Sequence, residues 1–178
     1  MMSEYNLNTA NIYEWVKTLR AGDVVNLSGY IYTARDAAHK RIVQALNEGE
    51  DLPFELQNSV VYYAGPTPAK NGLIIGSVGP TTSSRMDVFT PMMMDNGLSG
   101  MIGKGPRNQS VIEAIKRNKG VYFCAIGGAG ALAALSVKGL EVIAFEDLGC
   151  ESVKRLKVEN FPLLCAIDCK GNSIFDIN

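Results

Sequence analysis

Residues 24–46 read VVNLSGYIYTARDAAHKRIVQAL, and this stretch indicates the architecture of the chain. Val24 to Tyr32 is rich in β-branched and aromatic residues, which predicts a strand. Ala34 to Leu46 has apolar residues on one helical face, beginning at Ala38, which predicts a helix. A strand that passes directly into a helix is a unit of mixed α/β domains.

Outward from this unit, helix and strand signals alternate irregularly along the chain. Helices are predicted at Asn11 to Leu19, Arg85 to Met94 (bent or broken at Pro91), Pro106 to Lys116 and Gly130 to Leu135. Strands are predicted at Asn58 to Ala64, Leu73 to Val78, Leu98 to Ile102, Val121 to Ile126, Val142 to Phe145 and Leu163 to Asp168, and a turn at Gly171-Asn172 leads into a strand-like Ser173 to Phe175. This order favours one mixed α/β domain over residues 1–178, barrel-like or layered as β/β/α, rather than a doubly wound sheet.

The composition is that of an ordinary globular protein. Of 178 residues, 47% are hydrophobic and 20% are charged. The formal net charge is −1, so the chain lacks the excess of basic residues that binding to nucleic acid or to an anionic membrane would require. No apolar run approaches the roughly 20 residues that span a bilayer. The polar N-terminus, Met1 to Asn11, is unlike a secretory signal. We therefore expect a cytoplasmic protein.

The cysteines do not indicate a metal site in this chain. They are Cys124, Cys150, Cys165 and Cys169, and no CxxC pair occurs among them. A cluster or zinc site requires more ligands at close spacing. Reduced, buried thiols are the better interpretation.

A polar segment, Tyr32 to Arg41, lies where the first strand passes into its helix. Free N–H groups and the helix dipole favour an anion at such a junction. Arg35 could clamp a carboxylate with two parallel hydrogen bonds; solvated helix surface is the alternative. His39 is the only histidine, and a lone histidine is more often structural than catalytic.

A second polar segment is Gly79 to Asp87, GPTTSSRMD, in which four hydroxyl residues are consecutive. A hydroxyl beside cations can act as a proton acceptor, which an unperturbed Ser or Thr does poorly. Arg85 adds a second anion-binding group. An N-capping turn is the alternative, and it accounts for one hydroxyl better than for four.

A third segment, Met101 to Pro106, places Lys104 between Gly103 and Gly105 at the end of a strand. The flanking glycines leave the ammonium sterically open to a ligand. The pattern is too short for a phosphate-binding P-loop, which requires GxxxxGK[ST].

Two other classes of function remain open at this point. Gly128 to Ala133, GAGALA, matches GxGxxA between an apolar strand and a short helix, and Glu146 and Asp147 follow at about the distance of a ribose-binding acid. An NAD-linked oxidoreductase would use this segment, although small residues that permit close backbone packing also explain it. A non-catalytic anion-binding module is the other alternative.

These segments together resemble the β part of the class I, iron–sulfur-dependent fumarases and L-tartrate dehydratases. The resemblance is most specific in ARDAAHKR (34–41) and GPTTSSRM (79–86). It also includes GDVV (22–25), LSG (27–29), YAGP (63–66), IGKG (102–105), Phe161-Pro162, and Asp168 with Lys170-Gly171-Asn172. That family is similar in fold to the swivelling β/β/α domain of aconitase-like enzymes, which the resemblance therefore implies here.

The resemblance implies half of a split active site. Arg35, Arg85 and Lys104 would hold the carboxylates of a dicarboxylate substrate and stabilise the negative charge that develops on proton loss. Thr81 would remove the C3 proton of malate, and Thr82 would hydrogen-bond the substrate. The reaction would be reversible hydration of fumarate to L-malate, with dehydration of tartrate to oxaloacetate as the alternative.

The resemblance also implies supporting residues and partners. Asp36, His39 and Asp87 lie inside the matched motifs and would orient the substrate-binding groups. A [4Fe–4S] cluster would be carried by an α subunit, and this chain would bind no cofactor itself. A β–β homodimer within a heterotetramer is expected.

Overall fold

The structure, a computed structural model, describes residues 2–126 and 129–176. Within these residues the strands are β1 (Glu4–Asn8), β2 (Val24–Thr33), β3 (Val60–Tyr62), β4 (Gly100–Gly103), β5 (Val121–Ala125), β6 (Val137–Ala144) and β7 (Val153–Ile167). The helices are α1 (Ile12–Trp15), α2 (Asp36–Glu48), α3 (Thr90–Asp95), α4 (Gln109–Asn118) and α5 (Ala129–Ser136). Single 3-10 turns occupy Thr9–Asn11, Ser83–Met86, Glu146–Glu151 and Ile174–Asp176.

The sheet closes on itself into a small barrel. Strands β2, β3, β4 and β5 are parallel neighbours in that order. The long strand β7 pairs antiparallel with both β5 and β2 and so completes the ring. Strand β1 adds to β2, and β6 adds to β7, outside the ring. The mixed α/β class and the barrel-like arrangement expected from the sequence are therefore confirmed.

Alternate side chains of the strands enter two separate cores. Val60 and Tyr62 of β3 belong to a core that fills the barrel, whereas Val61 belongs to a core on its outer face. This alternation is the one expected of a closed sheet with a packed interior. Helices α2, α3 and α4 cover the outer face with the buried residues Ala38, Ile42, Met93, Met94, Val111, Ala114 and Ile115.

The ends of the two longest helices follow local chemistry. Helix α2 has Asp36 in its first turn, where a negative charge interacts favourably with the helix dipole, and it ends at Gly49 in the left-handed conformation. Helix α4 is capped by Asn108, whose side chain accepts a hydrogen bond from the Val111 N–H. Helix α2 follows the end of β2, and helix α4 follows Lys104 after the end of β4, so both helices begin next to polar segments.

The predicted strand at Leu73 to Val78 is wrong. Ile75 and Val78 are buried in the barrel core, as their apolar character suggests. The segment nevertheless bonds to its own loop, because Gly76 N–H donates to Thr67 O (3.1 Å) and Thr67 N–H donates to Ser77 O (3.0 Å). An apolar run therefore indicated burial correctly and a strand incorrectly.

Other predicted elements differ in extent. The helix expected at Asn11 to Leu19 is reduced to α1, and Ser173 to Phe175 contributes one bridge, from Ser173 to Ile167, before a 3-10 turn. The helix expected at Arg85 to Met94 divides into a 3-10 turn and α3. Pro91 lies in the first turn of α3, where its missing N–H costs no hydrogen bond.

No helix in the described residues combines the length and the apolar character that crossing a bilayer requires.

Candidate active site

The three polar segments meet at one end of the barrel. The carboxyl ends of β2, β3 and β4 are neighbours, since Thr33 pairs with Tyr62 and Tyr62 pairs with Ile102. Residues 34–41 leave β2, residues 79–87 return to the end of β3, and Lys104 follows β4. Parallel strands thus gather groups that are far apart in the sequence.

The hydroxyl pair is held by backbone contacts on both sides. Pro80 forms an antiparallel bridge with Ala64, and the Thr81 N–H donates to Tyr63 O at 2.8 Å. Thr82 forms a parallel bridge with Lys104. Thr81 is half-buried and Thr82 is exposed. This short extended segment therefore ties the ends of β3 and β4 together and presents two threonines there.

Ser83 fastens this segment to Lys104. Its N–H donates to Lys104 O (3.0 Å), and its Oγ accepts the Lys104 N–H (2.9 Å). The Tyr122 hydroxyl lies 2.8 Å from both Ser83 Oγ and Gly105 O. The Lys104 backbone is therefore fixed while its side chain stays exposed, and within the described part of the chain the lysine forms no ion pair.

Arg35 lies at the N-terminal end of α2, and its side chain packs on backbone. A Cβ atom added to Gly65 would stand 3.1 Å from both Arg35 Cδ and Cys150 O, so the arginine side chain packs closely on the glycine backbone. The Arg35 Nε is 3.9 Å from Glu151 Oε1. Both atoms are buried without a hydrogen-bond partner. Glu151 therefore faces the guanidinium, a neighbour that sequence reasoning did not identify.

A buried lysine supports the loop that carries Glu151. Lys154 Nζ donates to the carbonyl oxygens of Cys150 and Ser152, each at 3.1 Å, and to Ser152 Oγ at 2.8 Å. The residue is 7% exposed. Because the ammonium holds successive carbonyl groups in place, it fixes the loop against the end of β2.

Arg85 contacts the first polar segment directly. Its Nε donates to Asp36 Oδ1 at 3.0 Å, and the two side chains are 52% and 33% exposed. An ion pair this exposed contributes about 0–1 kcal/mol. Arg85 can therefore exchange Asp36 for the carboxylate of a ligand at little cost.

Asp87 binds the buried Arg107 rather than one of the three proposed substrate-binding cations. Its Oδ1 accepts from Arg107 Nε at 2.6 Å, and its Oδ2 accepts the Asn108 N–H at 2.8 Å. It makes no hydrogen bond to Arg85 among the described contacts. Arg107 is buried, and sequence reasoning missed it, because nothing in Gly105-Pro106-Arg107 distinguishes it from a surface residue.

His39 lies beneath the site rather than in it. The side chain is fully buried, with its ring against Tyr63 and Phe89. The backbone N–H and the ring Nδ1 both contact Arg35 O, at 2.9 and 2.8 Å. Because a carbonyl only accepts, the proton is on Nδ1. His39 therefore orients the backbone of Arg35 and does not reach a ligand.

Acid should weaken the fold through His39. Burial lowers its pKa from 6.5 to about 4, against a smaller opposing effect of the hydrogen bond to Arg35. Between these values the unfolded chain binds more protons, so stability is complete above pH 6.5 and falls as the pH drops toward 4. The loss should reach ~3 kcal/mol in the free energy of unfolding.

Urea titrations at several pH values check this expectation. In His39→Gln the ring cannot titrate, so the pH dependence of unfolding between 6.5 and 5 should flatten even if the variant is less stable throughout. Parallel curves for both proteins would contradict it. The chain has one histidine, so no other imidazole contributes.

The secondary structure around residues 128–133 differs from that of a dinucleotide-binding site in the described part of the chain. Gly128 lies outside the described residues. After α5, the chain enters β6, which pairs antiparallel with β7 and is not a parallel neighbour of β5. Asp147, one of the two acids at the distance of a ribose-binding residue, binds Arg41 at 2.8 Å. The βαβ unit that a dinucleotide requires is therefore missing around the described part of this segment.

The described residues contain no group of three or more His, Cys, Asp and Glu side chains placed to hold a metal ion. Cys165 and Cys169 are buried, Cys124 is half-buried and Cys150 is exposed. Burial raises the pKa of the Cys165 thiol, which opposes the thiolate form that a cluster requires. These side chains do not fit an iron–sulfur cluster.

Comparison with known proteins identifies the family of this chain. The family model described as Fumarase C-terminus matches residues 1–177, and the chain belongs to this family. The resemblance to the β component of class I hydro-lyases that the sequence indicates is thereby confirmed.

Individual relatives fall into two groups. The chain is 41% identical over 179 residues to a Methanocaldococcus jannaschii protein assigned by name as L(+)-tartrate dehydratase subunit beta, with 97% of this chain and 91% of the relative covered. It is 42% identical to the mitochondrial fumarate hydratase 1 of Leishmania major and 39% identical to the aerobic class I fumarate hydratase of Escherichia coli. These two matches cover 85% of this chain but only 28% of each relative.

Proposed function

We propose that this chain is the β component of an iron–sulfur-dependent hydro-lyase that hydrates fumarate reversibly to L-malate. One observation supports the proposal: the segments that carry Arg35, Arg85 and Lys104 meet the Thr81–Thr82 segment at the carboxyl ends of β2, β3 and β4. Three cations beside two hydroxyls suit a substrate with two carboxylates and a proton to be removed.

In this proposal the cations bind and orient the dicarboxylate. Arg35 and Arg85 offer planar guanidinium groups that can hold a carboxylate through paired hydrogen bonds. Lys104 adds an exposed ammonium on a fixed backbone. As the proton leaves carbon, negative charge spreads onto the adjacent carboxylate, and fixed cations stabilise that charge more in the transition state than in the ground state.

Thr81 is proposed as the group that accepts the C3 proton, and Thr82 as a hydrogen-bond partner of the substrate. A free threonine hydroxyl is a very weak base, so it acts only where positive charge favours its deprotonated form. The neighbouring cations provide that field. The 2.8 Å bond from the Thr81 N–H to Tyr63 O fixes the backbone from which the hydroxyl projects.

Asp36, His39 and Asp87 support these groups in the proposal. Asp36 holds Arg85, and His39 holds the backbone of Arg35. Asp87 acts through Arg107.

The cluster is proposed to lie in a separate α component. The cysteines of this chain do not suit a cluster, so no step above is routed through one. The relatives support a divided enzyme, because one is named as a subunit, whereas this chain spans 28% of the length of the fumarate hydratases. We further propose a cytoplasmic heterotetramer built on a β–β homodimer, with this domain swivelling as the aconitase-like β/β/α domain does.

Dehydration of L-tartrate to oxaloacetate is the second proposed reaction. The observation that favours it is the name of the Methanocaldococcus jannaschii relative, which shares 41% identity across nearly the whole chain. Tartrate and malate differ by one hydroxyl, and the cations described above suit either. Discrimination therefore requires groups on the wall of the complete pocket.

Mixing the components tests the proposal. The purified chain alone should convert neither fumarate nor L-tartrate, and activity should appear when it is combined anaerobically with a cluster-loaded α component. The α component alone serves as the matched control. Full activity of the isolated chain would rule out a split site, and a substrate panel on the active complex would identify the preferred dicarboxylate.

A further inference from the structure

We propose that Arg107 is a positioning residue: its buried guanidinium sets the relative placement of Thr81, Arg85 and Lys104. The inference rests on the proposed function, because it concerns the geometry of that site. Arg107 itself touches no substrate, since its side chain is 0% exposed.

The guanidinium is held on several sides. Its Nε donates to Asp87 Oδ1 at 2.6 Å. Its Nη2 donates to Thr90 Oγ1 at 2.8 Å and to the Tyr63 hydroxyl at 3.2 Å. The group also lies over two aromatic rings, 5.2 Å from the centre of Tyr63 and 4.8 Å from that of Tyr122.

Three of these contacts, with Tyr63, Asp87 and Tyr122, connect Arg107 to the site. Tyr63 holds the Thr81 N–H through its carbonyl oxygen. Asp87 directly follows the 3-10 turn that contains Arg85. The Tyr122 hydroxyl contacts Ser83, which bonds to the Lys104 backbone, and Gly105, which follows Lys104 in the chain.

A buried ion pair contributes little to the free energy of unfolding, but it can fix the positions and directions of the side chains that it joins. Apolar residues of similar volume often stabilise a fold as well as a buried pair does, because they avoid the cost of removing charges from water. The planar fork of Arg107, in contrast, fixes direction as well as distance at several partners at once. A lysine offers a single point charge and cannot reproduce this arrangement. The contribution of Arg107 is therefore to the placement of its neighbours.

The experiment separates placement from folding. Arg107→Met, Arg107→Lys and the double variant Asp87→Leu/Arg107→Met are combined with the α component, and kcat, KM and the unfolding temperature are measured. A displacement of about 1 Å at a reacting group costs about 100-fold in rate, so kcat/KM should fall about 100-fold in all three variants, mainly through kcat. In the double variant the unfolding temperature should recover to near that of the wild type, while the rate should not.

Leu19→Ala is the matched control, because Leu19 is also fully buried but lies in the barrel core away from the site. It should lower the unfolding temperature and leave kcat/KM within about threefold of wild type. A double variant with kcat/KM within about fivefold of an active wild-type complex overturns this inference alone. A wild-type complex that is inactive on every dicarboxylate overturns the proposed function and this inference with it.

Discussion

Replacing Thr81 by alanine in the complex with the α component should lower kcat by about 10²- to 10⁴-fold and change KM by less than about threefold. The variant loses the proton acceptor, whereas Arg35, Arg85 and Lys104 still bind the carboxylates. The Thr81 N–H still bonds to Tyr63 O, because that contact involves only backbone atoms. The loss should therefore appear in turnover and not in the fold.

Two further substitutions make the Thr81 prediction specific. Thr81→Ser keeps the hydroxyl and should retain much of the rate that alanine loses. Ser84→Ala removes an exposed hydroxyl from the same run and should leave kcat unchanged. Steady-state kinetics of the reconstituted complex provides the measurement. Turnover at the wild-type level in Thr81→Ala would eliminate this threonine as the base.

Replacing Gly103 by alanine should disrupt both stability and activity. The added Cβ would stand 2.9 Å from Tyr63 Cδ2 and only 1.9 Å from Ser83 Oγ, far inside van der Waals contact. Ser83 cannot move away freely, since it bonds to the Lys104 backbone on both its N–H and its Oγ. Overpacking of this kind typically costs about 1–3 kcal/mol, and relief of the clash requires the hydroxyl segment and Lys104 to separate.

Urea unfolding and kinetics together check the Gly103 prediction. Gly139→Ala is the control, because its added Cβ would meet only Lys157 Cβ, at 3.5 Å, an ordinary contact. The control should change the free energy of unfolding by less than about 0.5 kcal/mol and leave kcat/KM unaffected. An equally stable and active Gly103→Ala would show that Ser83 and Lys104 are not locked together.

Local sequence patterns predicted those helices and strands whose conformation is set by interactions between residues close together in the chain. The strand at Val24 and the helix that begins after Arg35 agree with the structure within two residues. Prediction failed where the backbone conformation depends on the residues to which the segment is hydrogen-bonded. Leu73 to Val78 has the composition of a strand, but its backbone bonds to Thr67 rather than to a neighbouring strand.

The same division applies to the site. Arg35, Thr81, Thr82, Arg85 and Lys104 lie in short polar segments at element ends, where their composition distinguishes them in the sequence. Glu151 and Arg107 do not stand in a segment whose composition distinguishes them in the sequence. They matter because the fold buries Arg107 and brings the turn before β7 against Arg35, and no local pattern records these long-range contacts.

The amino-acid sequence identifies the groups that this protein can present to a ligand: an arginine at a strand-to-helix junction, a run of hydroxyls and a lysine between glycines. It also indicated, by resemblance, the hydro-lyase family to which the chain belongs. Their position at one end of a barrel is a property of the folded chain, because the segments of residues 35, 81 and 104 meet through parallel pairing of β2, β3 and β4. Parallel pairing depends on contacts between residues that are far apart in the sequence. The pattern of a single segment therefore cannot predict it.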